Sequence, residues 1–170
     1  MMKRTHLCCA YASTGAYILK TTDFLKETHR LPVLLLGLLP VAAGALFPDI
    51  DTPYSSYGRK HKFISTKLGL RHRGITHTLF IPALLTLCAV FVPRYIEDYF
   101  IRASIRSLIV GFLAGWLSHV FIDLFNKKGC PIFWPFSKKR IHLASVRINC
   151  WQENVFLLLY LAATVLYLMI

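Results

Sequence analysis

Carboxylate and imidazole side chains in this sequence stand at the ends of apolar segments. Asp49 and Asp51 directly follow the uncharged run 31–48, and His119 and Asp123 lie four residues apart near the end of another apolar run. Residues four apart share one face of a helix, so both side chains could reach one metal ion, or Asp123 could orient His119 from behind. Ionisable groups beside a membrane segment are costly unless they have partners. A divalent cation is such a partner, so a metal site is the first chemistry to consider.

A third polar cluster opens another apolar run, in the stretch 71–77. Gly74 permits a sharp turn there. Thr76 is a suitable N-cap, which would fix His77 at the start of a helix. Together with a histidine near the N-terminus, these clusters supply the imidazole and carboxylate ligands of a divalent-metal site. The candidate metal ligands are His6, Asp49, Asp51, His72, His77, His119 and Asp123.

The elements that must position these residues are long apolar blocks. The chain has 170 residues, of which 55% are hydrophobic and 16% charged, and its mean hydropathy is +0.50. Four blocks approach the roughly 20 residues that cross a membrane, and the first is shorter and rich in Ser, Thr and Gly. The blocks are 5–19, 31–48, 74–93, 107–122 and 154–170. We therefore expect an all-α, single integral membrane domain over 1–170, a polytopic bundle of four transmembrane helices plus a short N-terminal helix.

Basic residues predict which side of the membrane the polar clusters occupy. The net charge is +12. If each block crosses once, the N-terminus, 48–75 and 125–150 fall on one side with fourteen Lys and Arg, against six in 20–30 and 94–106. The positive-inside rule makes the richer side cytoplasmic. The candidate ligands then gather in one layer at the cytoplasmic membrane face. The basic balance follows from topology, so no direct binding of nucleic acid is expected.

Each polar pattern also has a simpler explanation when it is taken singly. A histidine and an aspartate four apart on a helix more often form a side-chain hydrogen bond than a metal site. Two aspartates at a helix end could be solvated loop residues. The convergence of several segments on one layer is harder to explain in this way, and it favours a metal site.

The order of these motifs resembles a known family. The resemblance is to the YdjM-like family of LexA-linked, inner-membrane metal-dependent hydrolases. It rests on His6, Pro48-Asp49-Ile50-Asp51-Thr52-Pro53, His72-Arg73-Gly74-Ile75-Thr76-His77, the pair His119 and Asp123, and Gly129-Cys130-Pro131-Ile132-Phe133-Trp134-Pro135. It implies a multi-pass protein of the bacterial inner membrane and a divalent-metal hydrolase, with one or more zinc ions. Association with LexA is implied by the resemblance alone. A more distant likeness to zinc-dependent phospholipase C points to phosphoester substrates and to more than one zinc ion.

These expectations assign roles to the polar residues. Arg71 or Arg73 would hold a substrate phosphate, and Glu153, at the start of the last block, would be a further ligand or a general base. The expected substrate is a membrane lipid or lipid-linked phosphoester that enters from the bilayer. The alternatives are a non-catalytic metal-binding membrane protein, such as a carrier or sensor, and a membrane tether for a regulator such as LexA. A carrier would need ionisable residues near the midplane, and the middles of the blocks lack acids and histidines.

Overall fold

The chain is all-helical wherever its structure is described. The computed structural model describes residues 2–20, 30–61, 63, 73–147 and 149–170, and within these ranges it contains no β-strand. Only isolated bridges occur there, between Asn126 and Val146 and between Cys130 and Ile141. The predicted all-α class is confirmed. The predicted residues Arg71 and His72 lie outside the described residues.

The described helices alternate with short 3-10 turns. The α-helices are α1 Lys3–Lys20, α2 Arg30–Leu38, α3 Val41–Leu46, α4 Ser56–Lys60, α5 Phe80–Phe91, α6 Tyr99–Asp123 and α7 Trp151–Met169. The 3-10 turns are Phe47–Asp51, Ile75–His77 and Val92–Tyr95. Two of these turns, Phe47–Asp51 and Ile75–His77, carry predicted site residues.

The prediction of four transmembrane helices was wrong. Among the described residues, only α6, with 25 residues, and α7, with 19, are long and apolar enough to cross a membrane. The run 31–48 breaks at Pro40 between α2 and α3, because proline lacks a backbone N–H and disfavours helical backbone in the residue before it. Helix α5 has 12 residues, about 18 Å at 1.5 Å per residue, short of a hydrocarbon core of about 30 Å.

Helix α6 is the centre of the bundle, and glycines let its neighbours approach closely. A Cβ added at Gly111 would lie 1.7 Å from the carbonyl oxygen of Gly37, and one at Gly115 would lie 2.1 Å from that of Val41. Small residues spaced four apart allow this kind of backbone contact between helices in membranes. The α2–α3 segment therefore runs directly against α6, which places Ala45 beside His119.

Trp116 of α6 contacts two neighbouring segments through aromatic packing and a hydrogen bond. The rings of Phe47 and Phe112 pack on Trp116, with centroids 4.8 and 5.8 Å away. The indole Nε1 of Trp116 donates a hydrogen bond of 2.8 Å to the carbonyl oxygen of Thr76. The turn Ile75–His77 is thereby held against α6.

Several segments begin or end at the same end of the bundle. The starts of α1 and α7 meet there, since the hydroxyl of Thr5 donates a hydrogen bond to Glu153. The ends of α3 and α6 meet there as well, through Ala45 and His119. The loop that follows α6 comes back to this end of the bundle, where the N–H of Leu143 donates a hydrogen bond of 2.7 Å to the carbonyl oxygen of Leu124. The predicted convergence of separate segments is therefore present in the fold.

Candidate metal centre

His119 presents one nitrogen to the interior of the cluster. Its Nδ1 lies 2.6 Å from the carbonyl oxygen of Ala45. Because a carbonyl can only accept a hydrogen bond, Nδ1 carries the proton and Nε2 keeps its lone pair. Among the described residues, Nε2 has no hydrogen-bond partner, and it lies 3.7 Å from Oδ1 of Asp49. A fully buried imidazole with its lone pair aimed at a carboxylate has the form of a metal ligand held by a carbonyl.

His6 stacks on His119 from the first turn of α1. The two ring centroids are 3.8 Å apart with an interplanar angle of 10°. The Nε2 of His6 lies 3.6 Å from Oδ1 of Asp123. Burial lowers the pKa of His6 well below its ordinary value, because a charged ring would lose its hydration. His6 is therefore neutral near pH 7, the state in which an imidazole binds a metal.

His77 enters from the opposite side with a carboxylate behind it. Its Nε2 lies 3.6 Å from Oδ2 of Asp123, and its Nδ1 lies 3.4 Å from Oδ2 of Asp51. The same oxygen of Asp51 accepts hydrogen bonds of 2.8 Å from the N–H of Arg73 and the hydroxyl of Thr76. Asp51 thus sits where it can orient His77, an arrangement common around metal-bound histidines. The sequence suggested that Thr76 caps a helix. Its hydroxyl instead binds the carboxylate of Asp51.

Two overlapping groups of side chains have the spacing of metal ligands. One consists of His6, His119 and Asp123, the other of Asp49, His77 and His119, and within each group the ligand atoms lie within 4.8 Å of one another. His119 belongs to both, and it has one lone-pair nitrogen to offer. The groups therefore describe a single centre. Two nitrogen or oxygen ligands of a tetrahedral zinc lie about 3.4 Å apart, and the facing ligand atoms here, at 3.6 to 3.7 Å, are close to that separation.

The centre is closed except on the side of Asp49. The side chains of His6, His77 and His119 are no more than 1% exposed, and that of Asp123 is 3% exposed. The side chain of Asp49 is 23% exposed. Among the described residues of the centre, Asp49 therefore marks the side from which a ligand can approach.

Arg73 occupies an interior position that differs from its predicted role. It has a positive φ of 57°, and its side chain is 3% exposed. Its Nη2 lies 2.7 Å from Oδ2 of Asp123, and its Nη1 donates to the carbonyl oxygen of Gly129 at 3.4 Å. The sequence suggested a contact with a substrate phosphate, whereas the guanidinium is paired with a candidate ligand.

Comparison with known proteins identifies the family. A sequence model described as YdjM inner membrane protein matches residues 1–170. The chain belongs to the YdjM inner membrane protein family. This agrees with the resemblance seen in the motifs, and it supports an inner-membrane location.

Individual bacterial proteins are similar to part of the chain. Inner membrane protein YdjM of Escherichia coli K12 is 36% identical over 119 residues, which cover 66% of this chain and 58% of that protein. Two proteins of Bacillus subtilis 168, YfhP and YvsG, are each 32% identical, over 71% and 55% of this chain and 33% and 54% of their own lengths. The match thus spans less than two thirds of each relative. No solved structure matches.

In this YdjM-family chain, Glu153 joins two helices. Its Oε1 accepts hydrogen bonds from the N–H of Met2 and the hydroxyl of Thr5, and its Oε2 accepts one from the N–H of Asn149 at 2.8 Å. Glu153 belongs to neither ligand group. The sequence suggested a ligand or a base, whereas these contacts tie the first turn of α1 to α7 and set the position of His6.

The sequence did not predict the hydrogen bond from the hydroxyl of Thr5 to Glu153 or the burial of Cys130. Thr5 gave no signal, since a threonine beside a histidine is common in any helix. Cys130 is fully buried, and burial raises the pKa of its thiol to about 12. It is therefore a neutral thiol near pH 7, and its backbone pairs with that of Ile141. The motif 129–135 singled out this loop, but it did not reveal that Cys130 closes the loop by pairing with Ile141.

Proposed function

We propose that this chain is a membrane-bound, metal-dependent hydrolase that acts on a phosphoester. The observation that carries the proposal is the pair of overlapping ligand groups that share His119. Three imidazoles and two carboxylates from separate segments make up these two groups. Hydrogen bonding among these residues alone leaves the buried Nε2 of His119 without a partner, and a metal ion would satisfy it. The proposed ligands are drawn from His6, Asp49, His77, His119 and Asp123; a catalytic zinc would take three of them and keep one position for water.

Zinc is the ion that this donor set suits best. Imidazole and carboxylate ligands favour zinc over magnesium or calcium, which prefer oxygen ligands alone. A bound zinc ion would lower the pKa of a water molecule and polarise a phosphoryl oxygen. The shared nitrogen of His119 supports one ion rather than the larger number that the phospholipase likeness suggested.

The chain's own residues would divide the remaining work. The hydroxyl of Thr76 forms a hydrogen bond of 3.0 Å with Nδ1 of His77 and donates to Asp51, so these two residues would hold His77 in position. Asp49, the most exposed member of the centre, would face the substrate and hold or receive a proton there. Arg73 would contact a substrate phosphate only if it released Asp123, so we assign it first to positioning that carboxylate. Binding of the phosphate by Arg71 stays a prediction.

We also propose that the protein is multi-pass, with its centre facing the cytoplasm and a lipid-linked substrate. Helix α6 ends and α7 begins at the level of the centre, so two candidate spans would leave the membrane there. Helix α7 exposes large apolar side chains along its length, including Leu158 and Leu166, as expected of a lipid-facing helix. The loop that joins these two candidate spans carries six Lys and Arg and no Asp or Glu, and such a loop favours the cytoplasmic side.

A non-catalytic metal site is the second candidate, because the centre is so closed. Structural zinc sites use all four positions for protein ligands, whereas catalytic sites keep one open. Three histidines here have at most 1% exposure. This burial suits a metal that holds the helix ends together or senses metal supply.

The deciding experiment measures metal content and turnover in the same preparation. Purified protein in lipid nanodiscs is loaded with zinc and offered a panel of anionic lipids and isoprenoid phosphates. We expect phosphate or headgroup release that EDTA abolishes and Asp49→Asn reduces to background. The control is His142→Ala, which alters an exposed loop histidine. One zinc per chain without turnover would establish the non-catalytic alternative, and no bound metal would leave only a hydrogen-bond network.

A further inference from the structure

The loop between α6 and α7 carries a cationic surface without acids. Residues 124–152 contain no Asp or Glu. Lys127 and Lys128 follow the end of α6, and 138–140 is a run of three basic residues; all five of these side chains are exposed. No carboxylate within the loop neutralises them. Such a surface is complementary to an anion.

An apolar groove lies on the surface of α6, beside the start of this loop. Its volume is about 270 Å³, and it is lined by Leu79, Leu117, Val120, Phe121, Leu124 and Ile132. Leu117, Val120 and Phe121 are spaced as one face of α6, and Leu124 follows directly after its end. Leu117 is 41% exposed and Phe121 46% exposed. The groove therefore opens outward from a helix of membrane-spanning length.

The groove and the cations belong to one built unit. The N–H of Leu79 donates to the carbonyl of Ile132 at 3.0 Å, which fixes the loop against the start of α5. Reciprocal hydrogen bonds of 3.0 and 2.9 Å between Cys130 and Ile141 close the loop. Leu124 lines the groove and Lys127 is three residues later, so their Cα atoms are at most about 11 Å apart. One amphiphilic molecule could span both.

We propose that this unit is a binding site for an anionic phospholipid. One acyl chain lies in the groove, and the headgroup phosphate contacts Lys127 and Lys128. The groove follows Leu117 and Phe121, on a different face of α6 from His119 and Asp123. The site is therefore separate from the metal centre, and it does not require that the protein be a hydrolase. A lipid is favoured over an acidic protein because the groove is wholly apolar and belongs to a candidate membrane span.

The test compares lipids that differ only in headgroup charge. Metal-free protein in mild detergent is mixed with equal amounts of phosphatidylglycerol and phosphatidylcholine of the same acyl chains, and retained lipid is counted by native mass spectrometry. We expect phosphatidylglycerol to be retained about 25-fold over phosphatidylcholine, since each of the two lysines near an anionic headgroup contributes about fivefold. Lys127→Gln with Lys128→Gln should remove most of this preference. Leu117→Trp, which fills the groove, should reduce retention of both lipids.

Matched variants separate this site from general effects of charge and bulk. Arg59→Gln with Lys60→Gln removes two exposed cations from α4, and Leu158→Trp adds the same bulk to an exposed position of α7. Both should retain lipid as the wild type does. Leu117→Ala serves if Leu117→Trp is misfolded by circular dichroism, and it should weaken retention. Equal retention of the two lipids, or unchanged retention in the loop and groove variants, would overturn the proposal. So would preferential binding of polyglutamate by the loop, which would indicate an acidic protein partner.

Discussion

Two aspartates that are separated by one residue have different positions in the candidate centre. Asp49 and Asp51 both lie in the 3-10 turn Phe47–Asp51. A 3-10 helix has three residues per turn, so side chains two positions apart point about 120° away from each other. Asp49 reaches His119, whereas Asp51 lies behind His77. The sequence assigned both as ligands, and it could not separate them because it did not reveal the 3-10 geometry.

The role of Asp51 leads to a prediction about metal affinity. Asp51→Asn should lower zinc affinity by about 10- to 100-fold, the usual cost of losing a carboxylate that orients a metal-bound histidine. The amide oxygen of asparagine carries no charge, so it would be a weaker acceptor for the hydroxyl of Thr76 and the ring of His77 than the carboxylate oxygen is. Chelator competition measures the affinity. Affinity equal to that of the wild type would show that Asp51 does not orient His77.

Glu153 gives a prediction about stability. Glu153→Ala should lower the free energy of unfolding by about 3 kcal/mol, since it leaves donors from Met2, Thr5 and Asn149 without their charged acceptor. It should also lower zinc occupancy, because the first turn of α1 carries His6. Thermal unfolding in detergent and metal analysis provide the two measurements. Glu97→Ala, at an exposed acid, is the control and should change neither.

At the scale of elements, the geometry of the centre depends on the close contact between the α2–α3 segment and α6. Gly115→Ala would place a Cβ 2.1 Å from the carbonyl oxygen of Val41, and backbone cannot yield there without moving α3. We expect a loss of about 3 kcal/mol in stability and a fall in zinc content, because Ala45 would no longer hold His119. Gly15→Ala is the matched control, since a Cβ there meets nothing within 4 Å. Similar unfolding temperatures for the two variants would contradict this account.

From the sequence, the residues that meet in the centre were easier to predict than the lengths of the helices. Polar residues at block ends revealed that His6, His77, His119 and Asp123 converge, because membrane burial leaves few other places for them. Hydropathy did not reveal the break at Pro40 or the shortness of α5, since it averages composition and ignores backbone hydrogen bonding. The buried pairings of Arg73 and Glu153 depend on contacts between residues distant in the chain, and no local pattern encodes them.

At the scale of the whole molecule, charge asymmetry predicts orientation. Lys60 is exposed at the end of α4, in one of the two longest basic segments. A cysteine at position 60, in a background without the native cysteines, should react with a membrane-impermeant maleimide only after intact cells are permeabilised. A cysteine at exposed Arg94, which lies shortly before the start of the candidate span α6 and so at its other end from the centre, should react in intact cells. The reverse pattern would place the metal centre on the outer face of the inner membrane.

The hydrogen bond from Trp116 to Thr76 gives the protein a built-in optical probe. Trp116 is 2% exposed, and its acceptor residue also contacts both Asp51 and His77. Indole emission depends on its hydrogen bonding and on nearby paramagnetic ions. With Trp134 and Trp151 changed to Phe, the emission would come from a single indole beside the centre. Titration of that protein with cobalt, followed by quenching, would read occupancy directly, without labels and with the chain still in its lipid surroundings.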